Sequence, residues 1–330
     1  MLKDRHNRII DYLRIAITDK CNLRCQYCMP AEGIDYIKQK ELLTYEEILR
    51  IVNVVAAQGV RKIRITGGEP FLRKDLPYLI KSIYKVQGIE KIAITTNATI
   101  CKPYIDELIP HGLTDWNVSI DSLDKERFFN ITRRDQYDTV MDCINYLKDR
   151  PEVKLKLNTV VMEKDNIDDI VPIVRLTENS NLSVRFIEEM PFNGSGNEQL
   201  VLKWNHVKIL EHISQAFEKI HKIPDPKNST AFNYQVDGFK GSFGIIPAFT
   251  RSFCGTCNRL RLTPTGVIKT CLYDQGTFNI KHMIRAGATD PQLLTAISEA
   301  IGHKAKDGFE ADKMRKNQKL KINSMAQIGG

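Results

Sequence analysis

The chain has 330 residues, of which 42% are hydrophobic and 27% are charged, enough for one large core or for a core with a smaller domain. No run of about eighteen apolar residues occurs, and the N-terminus lacks an apolar signal segment, so we expect a cytoplasmic protein without membrane contact. The net charge of +8 indicates an anionic partner, but the basic residues are spread along the chain and do not by themselves predict nucleic-acid binding.

Strand patterns alternate with helical patterns over the first two thirds of the chain. A helix predicted over 44–59 begins at a capping box formed by Thr44 and Glu47, and Gly59 ends it. Such alternation predicts a parallel sheet, either an open barrel of six units or a doubly wound sheet. The six strands are expected at 12–18, 62–68, 91–97, 115–121, 153–161 and 184–190.

Polar and apolar residues alternate within nearly every predicted strand, as where Ile63 and Ile65 flank Arg64. Strands covered by helices on both faces usually form continuous apolar runs, whereas strands around a polar lumen alternate. We therefore predict an α/β fold with a partial (βα)6 TIM-like barrel. Its lumen would hold a polyanion, unless each basic residue pairs with a carboxylate or lies on an edge strand. The basic residues on the lumen face are Arg14, Arg64 and Lys156.

The alternation changes after about residue 205. A helix is predicted over 206–219, followed by a loop, short strands and a helix near 290–302. We therefore predict two domains, the partial barrel over 1–220 and a smaller C-terminal domain over 221–330 that covers the open side of the barrel.

Three cysteines follow the first predicted strand with the spacing C-x3-C-x2-C. The loops after barrel strands are where active sites of such folds are built. Structural zinc normally takes four ligands, whereas three thiolates on a [4Fe–4S] cluster leave one iron open. Zinc, or a group of inert thiols, stays the alternative. The residues are Cys21, Cys25 and Cys28.

A second triplet, Cys254, Cys257 and Cys271, has the spacing C-x2-C-x13-C and is again one ligand short. Arg259 and Arg261 lie between its cysteines and face the same side of an extended chain. Guanidinium groups bind phosphate in a bidentate manner, so this pair predicts an anionic substrate. The two remaining cysteines, Cys101 and Cys143, lie in apolar or helical contexts and are expected to be inert core residues.

The first triplet, with Tyr27 before its last cysteine, resembles the signature of the radical S-adenosylmethionine superfamily. The segment "TGGEP" over 66–70 resembles the glycine-rich loop of that superfamily, in which glycines let the backbone approach the ligand. The resemblance implies that the open iron binds S-adenosylmethionine. One-electron reduction would then release a 5′-deoxyadenosyl radical.

Both cysteine spacings, "TGGEP", "NRLRL" and the terminal "IGG" together resemble the GTP 3′,8-cyclase family, which acts in molybdenum cofactor biosynthesis. The resemblance implies two [4Fe–4S] clusters, one on each triplet, with Arg259 and Arg261 among the catalytic residues. It implies S-adenosylmethionine contacts from Tyr27, Gly68, Ser119 and Met190. It implies GTP contacts from Arg14, Arg64, Thr95, Lys156, Arg259 and Arg261.

The resemblance also implies an electron donor, a homodimer and a following enzyme, cyclic pyranopterin monophosphate synthase. Ala98 and Asn7 stand where the family usually has glycine, and we expect only small changes of loop geometry there. In the family, glycines corresponding to Gly329 and Gly330 reach the active site; a frayed end is the alternative.

Two other functions stay open at this point. One is another radical enzyme with an auxiliary cluster, such as a peptide-modifying enzyme, which would not need the "NRLRL" arginines. The other is a basic zinc-binding nucleic-acid module, against which stand the missing fourth ligands and the lack of aromatic residues among the lysines.

Overall fold

A computed structural model describes residues 1–190, 202–274, 276–317 and 324–328. Its strands all belong to one sheet. The first six are β1 (Tyr12–Ala16), β2 (Lys62–Thr66), β3 (Lys91–Thr96), β4 (Leu113–Ser119), β5 (Lys154–Val161) and β6 (Ser183–Glu188). The others are β7 (Ile220–Lys222), β8 (Phe232–Val236), β9 (Ser242–Ile246), β10 (Arg259–Leu262), β11 (Val267–Lys269) and β12 (Phe278–Asn279).

The helices of the first two thirds alternate with the strands, as the sequence predicts. They are α1 (Tyr45–Ala56), α2 (Leu76–Tyr84), α3 (Ile105–Leu108), α4 (Lys125–Thr132), α5 (Tyr137–Lys148) and α6 (Ile170–Arg175). The later helices are α7 (His206–Ala216), α8 (Ile280–Arg285), α9 (Asp290–Gly302), α10 (Gly308–Asn317) and α11 (Met325–Ile328). The predicted capping box at Thr44 and Glu47 is present at the start of α1. The helix predicted over 206–219 is shorter, because Phe217 is extended and the chain enters β7.

The sheet order is β12-β11-β10-β1-β2-β3-β4-β5-β6-β9-β8-β7. Strands β1 to β6 pair in parallel in chain order, β10 pairs in parallel with β1, and β9 pairs in parallel with β6. Within the described ranges the outer strands β12 and β7 do not pair with each other, so the sheet is open. The predicted partial barrel is confirmed. Strands from the C-terminal third extend both of its edges, and the division near residue 220 stays a prediction.

The core lies between the sheet and its helices. The predicted alternation is present in β5, where Leu155 and Leu157 are buried while Lys156 is only partly so. Trp116 of β4 is fully buried and stacks on Phe71 with 6.0 Å between the ring centroids. The opposite face of the strands carries the polar side chains that form the lumen. No helix among the described residues is long and apolar enough to cross a membrane.

Asn7 and Ala98, which stand at usual glycine positions, both adopt left-handed backbone conformations with φ of 61°. Asn tolerates this region well, whereas for Ala it costs about 1–2 kcal/mol. Ala98 is 1% exposed, and burying a methyl group contributes about 0.8 kcal/mol, which offsets much of that strain. Both residues therefore keep the backbone conformation that glycine would adopt.

Candidate functional site

The first cysteine triplet lies on the loop after β1, at the carboxyl end of the parallel strands. Burial raises the pKa of Cys21 to about 11 and that of Cys28 to about 12. Burial and the nearby acidic groups, including the other two thiols, raise the pKa of Cys25 as well. Three neighbouring thiols that resist ionisation are suited to bind an iron–sulfur cluster, because the positive charge of its iron would stabilise their thiolates. In the part of the chain that the structure describes, no three His, Cys, Asp or Glu side chains converge as ligands of a single metal ion.

The "TGGEP" loop after β2 packs against the start of the cysteine loop. Gly68 N–H donates to the Thr18 carbonyl at 2.8 Å, and Glu69 N–H donates to the Lys20 carbonyl at 2.8 Å. A Cβ atom on Gly68 would lie 2.2 Å from the Lys20 carbonyl oxygen. Close approach of the cysteine loop is thus one physical reason for glycine here.

Glu69 is a site residue whose role the "TGGEP" motif does not by itself indicate. Its carboxylate is fully buried and accepts from Asn97 N–H at 2.7 Å, Thr96 Oγ1 at 2.8 Å and Phe71 N–H at 3.1 Å. Asn97 in turn places its amide 3.7 Å from the Cys21 sulfur. Burial raises the pKa of Glu69 to about 7, although its three donors oppose that shift. Glu69 therefore positions the loop after β3 beside the first triplet.

Asp121 is a second such residue and positions Tyr27. The Tyr27 hydroxyl donates to Asp121 Oδ2 at 2.9 Å, and the backbone N–H of Val160 donates to Asp121 Oδ1 at 2.9 Å. Asp121 lies two residues after Ser119, the last residue of β4, and Ser119 was predicted to contact S-adenosylmethionine. In the sequence, the only indication of this role was that Asp121 is a carboxylate at the end of a predicted strand.

Four basic side chains lie next to one another across the strands β11, β10, β1 and β2. The register pairs Lys269 with Arg261, Arg261 with Arg14, and Arg14 with Arg64. Three of them, Arg64, Arg261 and Lys269, are less than a tenth exposed. Burial, followed by the neighbouring arginines, lowers the pKa of Arg14 and of Arg261. We call Lys269, Arg261, Arg14 and Arg64 the basic row, and a polyanion would relieve its repulsion.

Two further predicted residues adjoin the basic row. Thr95 accepts from Arg64 Nη1 at 3.2 Å. Arg259 precedes Arg261 by two residues on β10 and pairs with Tyr12, and its guanidinium is 5.6 Å from the centroid of the Phe253 ring. The structure therefore brings Arg14, Arg64, Thr95 and the arginine pair together. Their contacts with GTP stay a prediction.

Lys156 lies on β5, three strands away from Arg64 on β2. Its Nζ is 3.7 Å from Asp115 Oδ1, and Lys91 Nζ is 2.8 Å from the same oxygen. The alternative that a lumen cation pairs with a carboxylate thus holds for Lys156. The amide oxygens of Asn117 and Asn158 are buried without a hydrogen-bond partner among the described residues. Because such orphaned acceptors are costly, they indicate space for a polar ligand in the lumen.

The second cysteine triplet lies beside β10 and the basic row. Burial raises the pKa of Cys271 to about 11, whereas Lys304 and Arg259 outweigh burial and lower the pKa of Cys257 to about 7. Lys304 is 2% exposed and donates to the carbonyls of Arg259 and Thr270. It had no sequence signal, because a lysine near a helix end is usually solvated.

The described part of the C-terminal tail contacts both cysteine triplets. Ser324 Oγ donates to the Cys28 carbonyl at 2.7 Å. Helix α11 packs through Met325 and Ile328 into a small apolar cluster to which Met190 and Cys271 also belong. The described tail residues, 324–328, are therefore docked at the site. Gly329 and Gly330 lie outside the described residues, so their predicted reach into the site stays a prediction.

Two family models match this chain. The model of the radical S-adenosylmethionine superfamily matches residues 15–177, and the model "Molybdenum Cofactor Synthesis C" matches residues 182–310. Among solved structures, that of SuiB from Streptococcus suis superposes with a TM-score of 0.61 at 16% identity, covering 89% of this chain and 69% of that one. At that identity the likeness shows the fold alone.

Curated relatives match over nearly the whole chain. The GTP 3′,8-cyclase of Clostridium perfringens is 38% identical over 100% of both chains, and that of Listeria monocytogenes is 36% identical over 100% of this chain and 99% of its own. Human molybdenum cofactor biosynthesis protein 1 is 38% identical over 92% of this chain and 48% of its own. The chain thus spans about half the length of the animal relatives it matches.

Proposed function

The chain belongs to the GTP 3′,8-cyclase family of the radical S-adenosylmethionine superfamily, and on that premise we propose that it converts GTP to (8S)-3′,8-cyclo-7,8-dihydroguanosine 5′-triphosphate. This carbon–carbon bond-forming lyase reaction is the first step of molybdenum cofactor biosynthesis. The observation that carries the proposal is the basic row, which lies in the lumen next to the second cysteine triplet. A peptide-modifying enzyme of the same superfamily has no evident use for such a row.

The cysteine triplets would hold the iron–sulfur clusters. Cys21, Cys25 and Cys28 would bind the cluster that takes S-adenosylmethionine. Cys254, Cys257 and Cys271 would bind a second one that takes the purine. When bound, these cofactors would supply the radical chemistry by which the ribose 3′ hydrogen of GTP is removed. Tyr27, Gly68, Ser119 and Met190 are the proposed contacts of S-adenosylmethionine.

The protein's own task is to hold the triphosphate and to exclude water. A triphosphate in the lumen would accept bonds from Arg14, Arg64 and Arg261, with Arg259, Thr95 and Lys156 at either side. Because these donors are fixed by strand register, the ribose would be held in one orientation relative to the two triplets. Helix α11 packs beside both triplets and would limit the access of water.

We expect Arg259→Ala and Arg261→Ala each to weaken GTP binding by about tenfold to a hundredfold, since each loses a charge-assisted bond to phosphate. Anaerobic titration calorimetry with the cluster-loaded protein measures the effect. Arg285→Ala is the matched control, because Arg285 pairs with Glu47 at the surface. Unchanged GTP affinity in both variants, with normal iron content, contradicts the assignment.

The reaction itself is tested by an anaerobic assay with reductant and S-adenosylmethionine. If the proposal is right, GTP stimulates the formation of 5′-deoxyadenosine and a cyclised nucleotide appears in the products. Cleavage of S-adenosylmethionine without stimulation by GTP overturns the substrate and leaves the superfamily assignment standing.

The lowered pKa of Lys156 predicts that substrate binding depends on pH. Burial lowers its pKa to about 8, although Asp115 opposes the shift. Because the protonated form of Lys156 is the charged one, the side chain is cationic below about pH 8 and loses its charge as the pH rises through that value. We expect the dissociation constant of GTP to increase between about pH 7 and about pH 9. Lys156→Arg, which stays charged, is expected to remove this part of the dependence; an equal dependence in both proteins contradicts it.

We also propose a cytoplasmic homodimer that takes electrons from a separate donor. Its product would pass to cyclic pyranopterin monophosphate synthase.

A further inference from the structure

Tyr12 adjoins the basic row although it carries no positive charge. Its hydroxyl oxygen accepts from Arg64 Nε at 2.7 Å, and Lys62 Nζ lies 4.6 Å from the centroid of its ring. The register places Tyr12 between Lys62 on β2 and Arg259 on β10. Tyr12 is only 8% exposed, so the residue is largely shielded from water.

The charged groups that face this phenol from its own strand and from both neighbouring strands are cationic. Burial raises the pKa of Tyr12, but Arg64, Arg14, Lys62 and Arg259 together lower it to about 7. Arg261 is also near this group, since a Tyr12 phenolate raises the pKa of Arg261. A phenolate at this place would compensate part of the charge of the basic row.

Arg64 is the residue that links the phenol to the proposed substrate site. Its Nη1 donates to the Ile94 carbonyl and to Thr95 Oγ1, each at 3.2 Å, while its Nε donates to Tyr12. A guanidinium binds phosphate best with two parallel N–H groups. Full engagement of a phosphate through Nε therefore requires Arg64 to release Tyr12.

We propose that the Tyr12 phenolate serves as the internal counter-ion of the basic row in the free protein, and that it takes up a proton and releases Arg64 when the triphosphate binds. The proton comes from solvent and goes to the phenol oxygen, while a phosphate oxygen takes the place of that oxygen as the acceptor for Arg64. Tyr12 is then a positioning residue, which keeps Arg64 oriented before substrate arrives. The inference rests on the proposed binding of GTP by the same row.

The test is proton uptake on binding, measured by anaerobic calorimetry of the cluster-loaded protein with GTP in two buffers of different ionisation enthalpy. At about pH 8 most of Tyr12 is phenolate, and the terminal phosphate of free GTP is already ionised. Wild-type protein is expected to take up close to one proton more than Tyr12→Phe. Lys156 contributes equally to both, so the difference reports Tyr12. Tyr45→Phe is the control and should behave as wild type. The Tyr45 ring also lies beside an arginine, with its centroid 4.3 Å from the guanidinium carbon of Arg73, but it is not part of the basic row.

A second measurement needs no variant. Inorganic tripolyphosphate does not absorb in the near ultraviolet, so its addition to the holoenzyme should reduce the phenolate absorption band without interference from a base. Equal proton uptake in wild type and Tyr12→Phe, with an unchanged phenolate band, overturns the inference while GTP binding itself stands. Absence of any GTP binding in all three proteins instead overturns the proposed function.

Discussion

Gly68→Ala is expected to abolish binding of the first iron–sulfur cluster. The new Cβ atom would lie 2.2 Å from the carbonyl oxygen and 2.6 Å from the carbonyl carbon of Lys20, and 2.8 Å from the carbonyl oxygen of Asp19. These are backbone atoms, so relief requires the cysteine loop itself to move. Because Cys21 directly follows Lys20, that movement displaces the first ligand of the triplet.

The expected result is a loss of about half the iron after anaerobic reconstitution, together with loss of S-adenosylmethionine cleavage. The matched control is Gly255→Ala in the second cysteine loop, where an added Cβ meets nothing within 4 Å. That variant should keep its iron and its activity. Full iron content and normal cleavage in Gly68→Ala would show that the cysteine loop adapts at little cost.

Glu188→Ala is expected to lower the free energy of unfolding by about 3–5 kcal/mol, the usual cost of removing one partner of a buried charged network. The Glu188 carboxylate is fully buried at the end of β6. It accepts from the backbone N–H groups of His206, Phe249 and Thr250 at 2.8 to 2.9 Å, and from Thr250 Oγ1 at 3.0 Å. Its loss leaves these donors without their acceptor.

The same change should also affect the second triplet. Glu188 joins the end of β6, two residues before Met190, to the loop that leads into Cys254. Thermal unfolding of the cluster-loaded variant measures the stability loss, and iron analysis measures the loss of the second cluster. Glu178→Ala, at an exposed position after α6, is the control. A shift in melting temperature no larger than that of the control would contradict the prediction.

Local patterns in the sequence predicted most of the barrel. Periodicity located six strands, and the capping box at Thr44 located the start of α1. The alternation within β5 correctly separated the buried leucines from Lys156. These features depend on neighbouring residues only, so they can be read without knowledge of chain packing. The spacing of the cysteines alone did not decide whether they bind zinc or an iron–sulfur cluster. The family resemblance favours the iron–sulfur cluster.

The tertiary structure decided which distant residues meet. Strand β10 lies almost 250 residues after β1, and only its parallel register with β1 sets Arg261 beside Arg14 and Arg259 beside Tyr12. Asp121, Lys269 and Lys304 had no distinctive spacing, because their importance comes from burial and from partners elsewhere in the chain. Glu69 lies within the "TGGEP" motif, but its buried contacts with Thr96 and Asn97 depend on the fold. Sequence periodicity reports the face that a side chain occupies, whereas the identity of the neighbouring strand depends on how the whole sheet packs. The sequence by itself thus determined the barrel and the two cysteine triplets, and only the folded chain brought the basic row and Tyr12 together.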